Sequence, residues 1–215
     1  MPDVSYPPSA ELYQHSDIPL DMQGKSTRPL RNAAVLIPLV HQRDQWHLLF
    51  IRRAEHEHDR HSGQVAFPGG AEDLEDLTPA DNALRETEEE VGIKRDAVKV
   101  VATLKPYLTI SNYRVTPVVG LINWPCTMRL QNSEVARAFT IPLNWLRDSR
   151  NFRLQPRHNP NRTGRLEAPE RRHPVVYFNE YDGEVLWGAT ARMTLNFLRS
   201  VDQGEVLIPS FSQAS

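Results

Sequence analysis

Apolar residues in this chain fall into short runs separated by polar turns. The runs at 33–40 and 46–51 are nearly continuous and predict two buried strands, and those at 97–104 and 114–122 predict two more. Two later apolar segments flank an Asp-Gly turn at 182–183, which predicts a hairpin. Strands are therefore expected along most of the chain.

One stretch between these strands has the signals of a helix and an unusual set of charges. Pro79 suits the first turn of a helix and Gly92 its end, so the residues between them are predicted to form one helix. On this helix Glu86, Glu89 and Glu90 are spaced i, i+3 and i+4, which places three carboxylates on one face. The ordinary interpretation of such a run is a solvated acidic face.

The alternative is a metal site, because carboxylates crowded on one face repel one another. Arg85, four residues before Glu89, can offset part of this repulsion, and a divalent cation can offset the rest. Carboxylates with no cysteine or histidine nearby suit a hard ion, Mg²⁺ or Mn²⁺. The Phe-Pro-Gly-Gly sequence at 67–70 favours the metal site. It is predicted to be a strand running into a double-glycine turn, where a ligand can approach the backbone.

The C-terminal part of the chain predicts a second helix, over residues 189–201. Met193, Phe197 and Val201 form one apolar stripe on it, which we interpret as core and not as a cofactor site. Strands, one long helix, further strands and a final helix together indicate an α/β fold.

Composition restricts the classes of function. With 215 residues, 40% of them hydrophobic, the chain can form one domain with a substantial core. A net charge of −2 gives no basic field for nucleic acid, and we expect no membrane span and no secretory signal. The single cysteine, Cys126, fits a reducing compartment, so we expect a cytoplasmic protein. The predicted organisation is an N-terminal arm at 1–29, a domain at 30–204 and a tail at 205–215.

The stretch from 63 to 93 resembles the Nudix box, G-x5-E-x7-R-E-U-x-E-E-x-G-U, where U is aliphatic. Its second half is matched by Arg85, Glu86, Glu89, Glu90, Gly92 and Ile93. Gly70 matches the leading glycine. Asp76 stands in place of the first glutamate, Thr87 replaces an aliphatic residue, and one extra residue separates Gly70 from Arg85.

The lengthened box resembles one branch of the Nudix hydrolase superfamily, the coenzyme A pyrophosphatases. Four segments are also similar to that branch, at 33–40, 63–70, 115–120 and 187–191. The resemblance implies a Nudix-type α/β/α sandwich around a mixed β-sheet. It also implies hydrolysis of the pyrophosphate bond of coenzyme A or its derivatives, giving 3′,5′-ADP and (acyl-)phosphopantetheine.

Two alternatives stay open at this point. The substrate can be another nucleoside diphosphate derivative, such as ADP-ribose, NADH or a dinucleoside polyphosphate. The domain can instead be a non-catalytic sensor that binds a nucleotide, although the intact arginine and three glutamates favour catalysis. In each case the partner is a small nucleotide, and an arm that packs on a second subunit would give a homodimer.

The resemblance also implies roles for the residues of the box. Glu86, Glu89 and Glu90 would hold the metal, with Glu89 as a third ligand or as general base. Arg85 would orient the glutamates. Gly69 and Gly70 would let the backbone approach the helix and the metal.

Three residues outside the box complete the set of candidates. Glu134 precedes a predicted strand and would complete the metal site or serve as base, while a solvated loop glutamate is the equal alternative. Arg53 and Arg60 would flank the substrate phosphates. The Arg-rich stretch at 147–172 is interpreted mainly as surface loop, with one or two arginines guiding a polyphosphate.

Overall fold

The computed structural model describes residues 10–18, 29–56, 62–155 and 174–209. Its central element is a mixed sheet of eight strands. These are β1 (Arg31–Gln42), β2 (Gln45–Arg53), β3 (Val65–Ala66), β4 (Gly69–Ala71), β5 (Val98–Thr103), β6 (Tyr107–Leu108), β7 (Tyr113–Ile122) and β8 (Val135–Pro142). The main order is β3-β2-β1-β7-β5, with β4 on β1, β6 on β7 and β8 on β2. Only β1 and β7 run parallel within this described sheet.

A second, antiparallel sheet and three α-helices are the other main elements of the described structure. The sheet has the order β11-β10-β9, formed by β9 (Phe152–Gln155), β10 (Val175–Tyr181) and β11 (Glu184–Trp187). The helices are α1 (Pro79–Val91), α2 (Leu143–Arg147) and α3 (Gly188–Asp202). The predicted hairpin at 182–183 is confirmed, since Asp182 and Gly183 both have positive φ, at 54° and 78°.

Alternating residues of the central strands serve two separate cores. On β1, Leu36 and Val40 pack in the core that contains the apolar face of α1. Ile37 and Leu39 pack on the opposite face, in the larger core that contains α3 and the small sheet. Side chains on a strand alternate between faces, so one apolar run supplies both layers. This confirms the α/β class with helices on both faces of a mixed sheet.

The two helices predicted from the sequence, α1 and α3, begin and end close to the predicted residues. Thr78 caps α1 by accepting a hydrogen bond from the N–H of Asp81, and Gly92 ends it in the left-handed conformation. On α3, Met193 and Phe197 are buried in the larger core, which confirms that this stripe is core. No helix in the described ranges is long and apolar enough to cross a membrane.

Residues outside the predicted central domain also reach the larger core. Leu12, in the 3₁₀ turn Ala10–Tyr13, is buried there, and Ser16 forms a bridge with Leu108 of β6. Val206 is buried in the same core. The boundaries at 29/30 and 204/205 stay predictions.

Candidate active site

The start of α1 is fixed to the sheet by one buried amide. Asn82 is fully buried, and its Oδ1 accepts a hydrogen bond of 3.2 Å from the N–H of Ala34 on β1. Its Nδ2 donates to Asp76 Oδ2 at 3.1 Å. Because both partners are satisfied, the helix is held in one rotation about its axis, which decides where its glutamates face.

Glu86 and Glu90 face β4. The N–H of Gly69 donates to Glu90 Oε2 at 2.9 Å, and Glu90 is only 2% exposed. A Cβ on Gly70 would lie 2.5 Å from Cδ of Glu86, so a larger residue there would displace this carboxylate. The predicted double-glycine turn is wrong, because both glycines lie in β4. They serve close packing instead: a Cβ on Gly69 would lie 2.3 Å from the carbonyl oxygen of Ala34.

Burial shifts the proton affinity of this carboxylate pair. It raises the pKa of Glu90 from 4.5 to about 7, and the neighbouring charge of Glu86 adds to the rise while the Gly69 N–H opposes it. Burial also raises the pKa of Glu86, against the opposing effect of Arg85. The pair therefore favours either a proton or a cation between the helix and β4.

Arg85 ties the acidic groups together. Its guanidinium donates to Asp76 at 2.9 Å, to Glu86 at 3.1 Å and to Glu89 at 3.0 Å. It also donates to the carbonyl of Ala71 at 3.1 Å. Arg85 therefore contacts the carboxylates of Asp76, Glu86 and Glu89, which is the arrangement expected of a residue that orients them. The side chain of Asp76 is only 3% exposed and reaches Arg85 despite the extra residue between Gly70 and Arg85.

Glu134 lies immediately before β8, as predicted, and its side chain is exposed. Its negative charge contributes to the raised pKa of both Glu86 and Glu90. The position is set by the backbone. The N–H of Glu134 donates to the carbonyl of Gln131 at 2.8 Å, and the N–H of Gln131 donates to the carbonyl of Glu90 at 2.9 Å. One short turn therefore joins Glu134 to the end of α1.

Arg53 is a further cation near this cluster. It ends β2, where it pairs with Val135 next to Glu134, and its charge lowers the pKa of Glu90. Its N–H donates to the carbonyl of Gln64 at 3.0 Å, which holds the β2 end against the segment leading into β3. Arg60 and most of the Arg-rich stretch lie outside the described residues, so their predicted roles stay predictions.

Comparison with known proteins decides the family. The family model for the NUDIX domain matches residues 30–158. This chain belongs to the Nudix family. The uncharacterized Nudix hydrolase NudL of Enterobacter sp. (strain 638) is 41% identical over 162 residues, which covers 75% of this chain and 78% of that protein. The NudL of Yersinia enterocolitica is 40% identical over 172 residues, which covers 80% and 82% of the two chains.

A solved structure agrees on the fold. The Nudix hydrolase RenU of M. smegmatis aligns with a TM-score of 0.54 at 18% identity, over 85% of this chain and 92% of its own. Together with the NudL relatives and the family match, this identifies the protein as a Nudix hydrolase, an enzyme of the pyrophosphohydrolase class.

The acidic groups of this Nudix hydrolase suit the divalent ions that the family uses, Mg²⁺ or Mn²⁺. All candidate donors are carboxylate oxygens, which are the ligands that hard cations prefer. Glycines in β4 leave room at the Glu86 carboxylate, and burial makes an uncompensated charge on Glu90 unfavourable. Across the described ranges, no three such side chains are close enough to form a completed metal site.

Some residues that shape the site carry no recognisable sequence signal. Asn82 reads as a solvated residue in the first turn of a helix, yet it anchors α1 to β1. Gln131 acts through its backbone, which any residue provides. Thr87, at the position where the box has an aliphatic residue, is buried and donates its hydroxyl to the carbonyl of Ala83 at 2.6 Å. A local hydrogen bond to the preceding turn makes the hydroxyl tolerable there.

Proposed function

We propose that this Nudix hydrolase cleaves the pyrophosphate bond of coenzyme A or its derivatives in a metal-dependent reaction. The products would be 3′,5′-ADP and (acyl-)phosphopantetheine. The observation that carries the reaction class is the pair of carboxylates that face β4, half-buried Glu86 and buried Glu90, with Arg85, Glu89 and Glu134 around them. The choice of coenzyme A rests on the similarity of the lengthened box and four other segments to that branch.

The proposed metal ligands are Glu86 and Glu90, one helical turn apart, with Glu89 or Glu134 as a third. When bound, Mg²⁺ or Mn²⁺ supplies positive charge for the pyrophosphate and lowers the pKa of a bound water. Arg85 keeps Glu86 and Glu89 in place through its hydrogen bonds of 3.1 and 3.0 Å. Preorganised charge of this kind is the main contribution that a protein makes to phosphoryl transfer.

Two glutamates compete for the role of general base. Glu89 has an oxygen bonded to Arg85 and is 58% exposed. Glu134 makes no salt bridge within the described residues, and its charge acts on both Glu86 and Glu90. We favour Glu134 as the group that accepts the proton of the attacking water, because no cation in the described part of the chain forms a salt bridge with its carboxylate.

Arg53 is the proposed contact for the substrate phosphates. It lies on the carboxylate side of the sheet, and a cation there offsets the repulsion between the pyrophosphate and the glutamates. Arg60 is the proposed second cation, and it would serve the 3′-phosphate that coenzyme A carries. A guanidinium suits both tasks because it can bind a phosphate through two parallel hydrogen bonds.

Turnover of a nucleotide panel tests this proposal. Coenzyme A, acetyl-coenzyme A, ADP-ribose, NADH and a diadenosine polyphosphate are incubated with the enzyme and Mg²⁺ or Mn²⁺, and the products are separated. We expect coenzyme A to yield 3′,5′-ADP and phosphopantetheine in equal amounts. Preferential cleavage of ADP-ribose or NADH would replace the proposed substrate. Binding of a nucleotide without turnover of any panel member would indicate a sensor.

We also propose a cytoplasmic enzyme, since its nucleotide substrate is intracellular and its one cysteine needs no oxidising compartment. The homodimer stays a prediction. Light scattering on the purified full chain distinguishes a dimer from a monomer directly.

A further inference from the structure

A cavity lies on the side of the sheet away from α1. It has a volume of about 510 Å³, opens to the surface, and is lined by His15, by the end of β5 with the connection to β6, and by α3. Its wall residues Tyr107 and Met193 belong to the larger core, whereas α1 packs in the other one. None of the candidate active-site residues lines it. The volume is typical of a site for a small organic ligand.

The rim of this cavity is basic. Lys105, Arg199 and His15 line it, with Glu205 as the acidic lining residue. Neither Lys105 nor Arg199 forms a salt bridge with any described residue. The pKa of His15 is lowered first by burial, then by the charges of Lys105 and Arg199, while Glu205 opposes them. The two cations therefore outweigh the acid at this point, and the rim is net positive.

Arg199 and the lining residues near it are held by contacts with the N-terminal segment. Arg199 lies with its Cζ 4.5 Å from the ring centroid of Tyr13, so the guanidinium is supported by the aromatic face. Beneath it, Asn196 is 9% exposed and donates to the carbonyl of Gln14 at 3.3 Å. This bond joins α3 to the N-terminal segment across the cavity. Met193 and Val206 supply a buried apolar part of the wall.

We propose that this cavity binds a small phosphate monoester. A dianionic phosphate matches two cations that have no acidic partner in the described structure, and Ser200 and Thr103 in the same lining add hydroxyl donors. The cavity is larger than a bare phosphate ion, and its apolar wall suits an organic group attached to that phosphate. The site is separate from the active site and does not depend on which pyrophosphate the enzyme cleaves.

Calorimetric titration of the full chain tests this site. The probes are AMP and inorganic phosphate, with adenosine as the uncharged counterpart of AMP. Titrations are run in EDTA, because the carboxylates of the active site then repel anions. We expect AMP to bind saturably, inorganic phosphate to bind more weakly, and adenosine not to bind. Lys105→Gln and Arg199→Gln should each weaken AMP binding by about tenfold or more, because each removes a charge-assisted contact.

Matched controls locate the binding. Lys99→Gln removes an exposed lysine from β5, the same strand that leads to Lys105, and should leave binding unchanged. Lys105→Gln should also leave the basal kcat of pyrophosphate cleavage unchanged. Arg199→Gln also removes the contact with Tyr13 and can fail to fold for that reason. In that case Lys105→Gln alone decides whether the cavity binds AMP. Absence of saturable AMP binding at millimolar concentration, equal binding by Lys105→Gln and wild type, or a loss caused only by Arg53→Gln would each overturn the proposal.

Discussion

Glu90 is deeply buried and accepts a hydrogen bond from the N–H of Gly69 in β4. Water therefore does little to stabilise its negative charge. We predict that Glu90→Gln lowers kcat at saturating Mg²⁺ by at least about a hundredfold, because it removes one charge from the metal site at nearly constant volume. Circular dichroism should show a folded protein. A folded variant with near-normal kcat would remove Glu90 from the proposed ligands.

Although Glu90→Gln should lower kcat, it should raise the stability of the metal-free protein. A carboxyl whose pKa is raised by folding stabilises the folded state below its ordinary pKa of 4.5, and this contribution is lost as the pH rises through about 7. We therefore predict that metal-free Glu90→Gln is more stable than wild type at about pH 8, by roughly 3 kcal/mol, and that the difference shrinks toward about pH 5. Urea unfolding in EDTA measures both values. A difference independent of pH would contradict the raised pKa.

Glu88 provides the internal control for the helix face. Its carboxylate accepts a hydrogen bond from Lys94 at 2.6 Å and does not contact Arg85 or β4. We predict that Glu88→Gln leaves kcat and KM within about twofold of wild type, because only an exposed ion pair is lost. The measurement is steady-state kinetics beside Glu90→Gln. Equal damage by the two substitutions would show that the assignment of the catalytic face is wrong.

Much of the site follows from spacing at the level of single residues, and some of it cannot. The i, i+3, i+4 glutamates and the arginine four residues before Glu89 could be placed on one face from the sequence alone, because helix geometry is fixed. Asn82 and Gln131 could not be identified this way. Their effect depends on which backbone groups the tertiary fold brings to them.

At the scale of elements, β4 and α1 form one functional unit whose two glycines have different tasks. A Cβ on Gly69 meets backbone and a side-chain carbon of β1 within 2.8 Å, and its φ is 151°. The three atoms nearest to a Cβ on Gly70 all belong to the carboxylate of Glu86. We predict that Gly69→Ala destabilises the protein by about 3 kcal/mol or more, because backbone cannot yield. Gly70→Ala should cost much less stability but lower kcat at least about tenfold by displacing a proposed ligand.

Thermal unfolding and kinetics of the two variants, measured side by side, separate these effects. Similar stability losses in both would mean that β4 packs uniformly against its surroundings. Full activity in Gly70→Ala would mean that the position of Glu86 is not critical.

Helix ends were predictable and the path of the glycine segment was not. Thr78, Pro79 and Gly92 act through local capping rules, which the sequence displays directly. The segment at 67–70 resembles a turn because consecutive glycines usually mark one. Here the two glycines lie in β4 because β2 leaves the N-terminal part of β1 unpaired and close packing excludes a Cβ. The strand that β4 pairs with, β1, lies some thirty-five residues earlier in the sequence, so no local pattern reveals the pairing.

At the scale of the whole molecule, the two faces of the central sheet carry different features. The α1 face carries the acidic cluster, and the α3 face carries the larger core together with residues from both ends of the described chain. The order of elements predicted the α/β class, and resemblance supplied the sandwich. Packing of Leu12 and Val206 into the core could not be predicted, because isolated apolar residues among polar and proline-rich neighbours give no periodic signal.

Selectivity among complete substrates tests the central claim, that the enzyme acts on coenzyme A. The comparison is kcat/KM for coenzyme A, 3′-dephospho-coenzyme A and ADP-ribose under one metal condition. An arginine bound to the 3′-phosphate contributes roughly 1.5 to 3 kcal/mol, so we predict a preference of about ten- to a hundredfold for coenzyme A over the other two. Equal values for coenzyme A and its dephospho form would remove the 3′-phosphate contact, and a clear preference for ADP-ribose would contradict the proposed substrate.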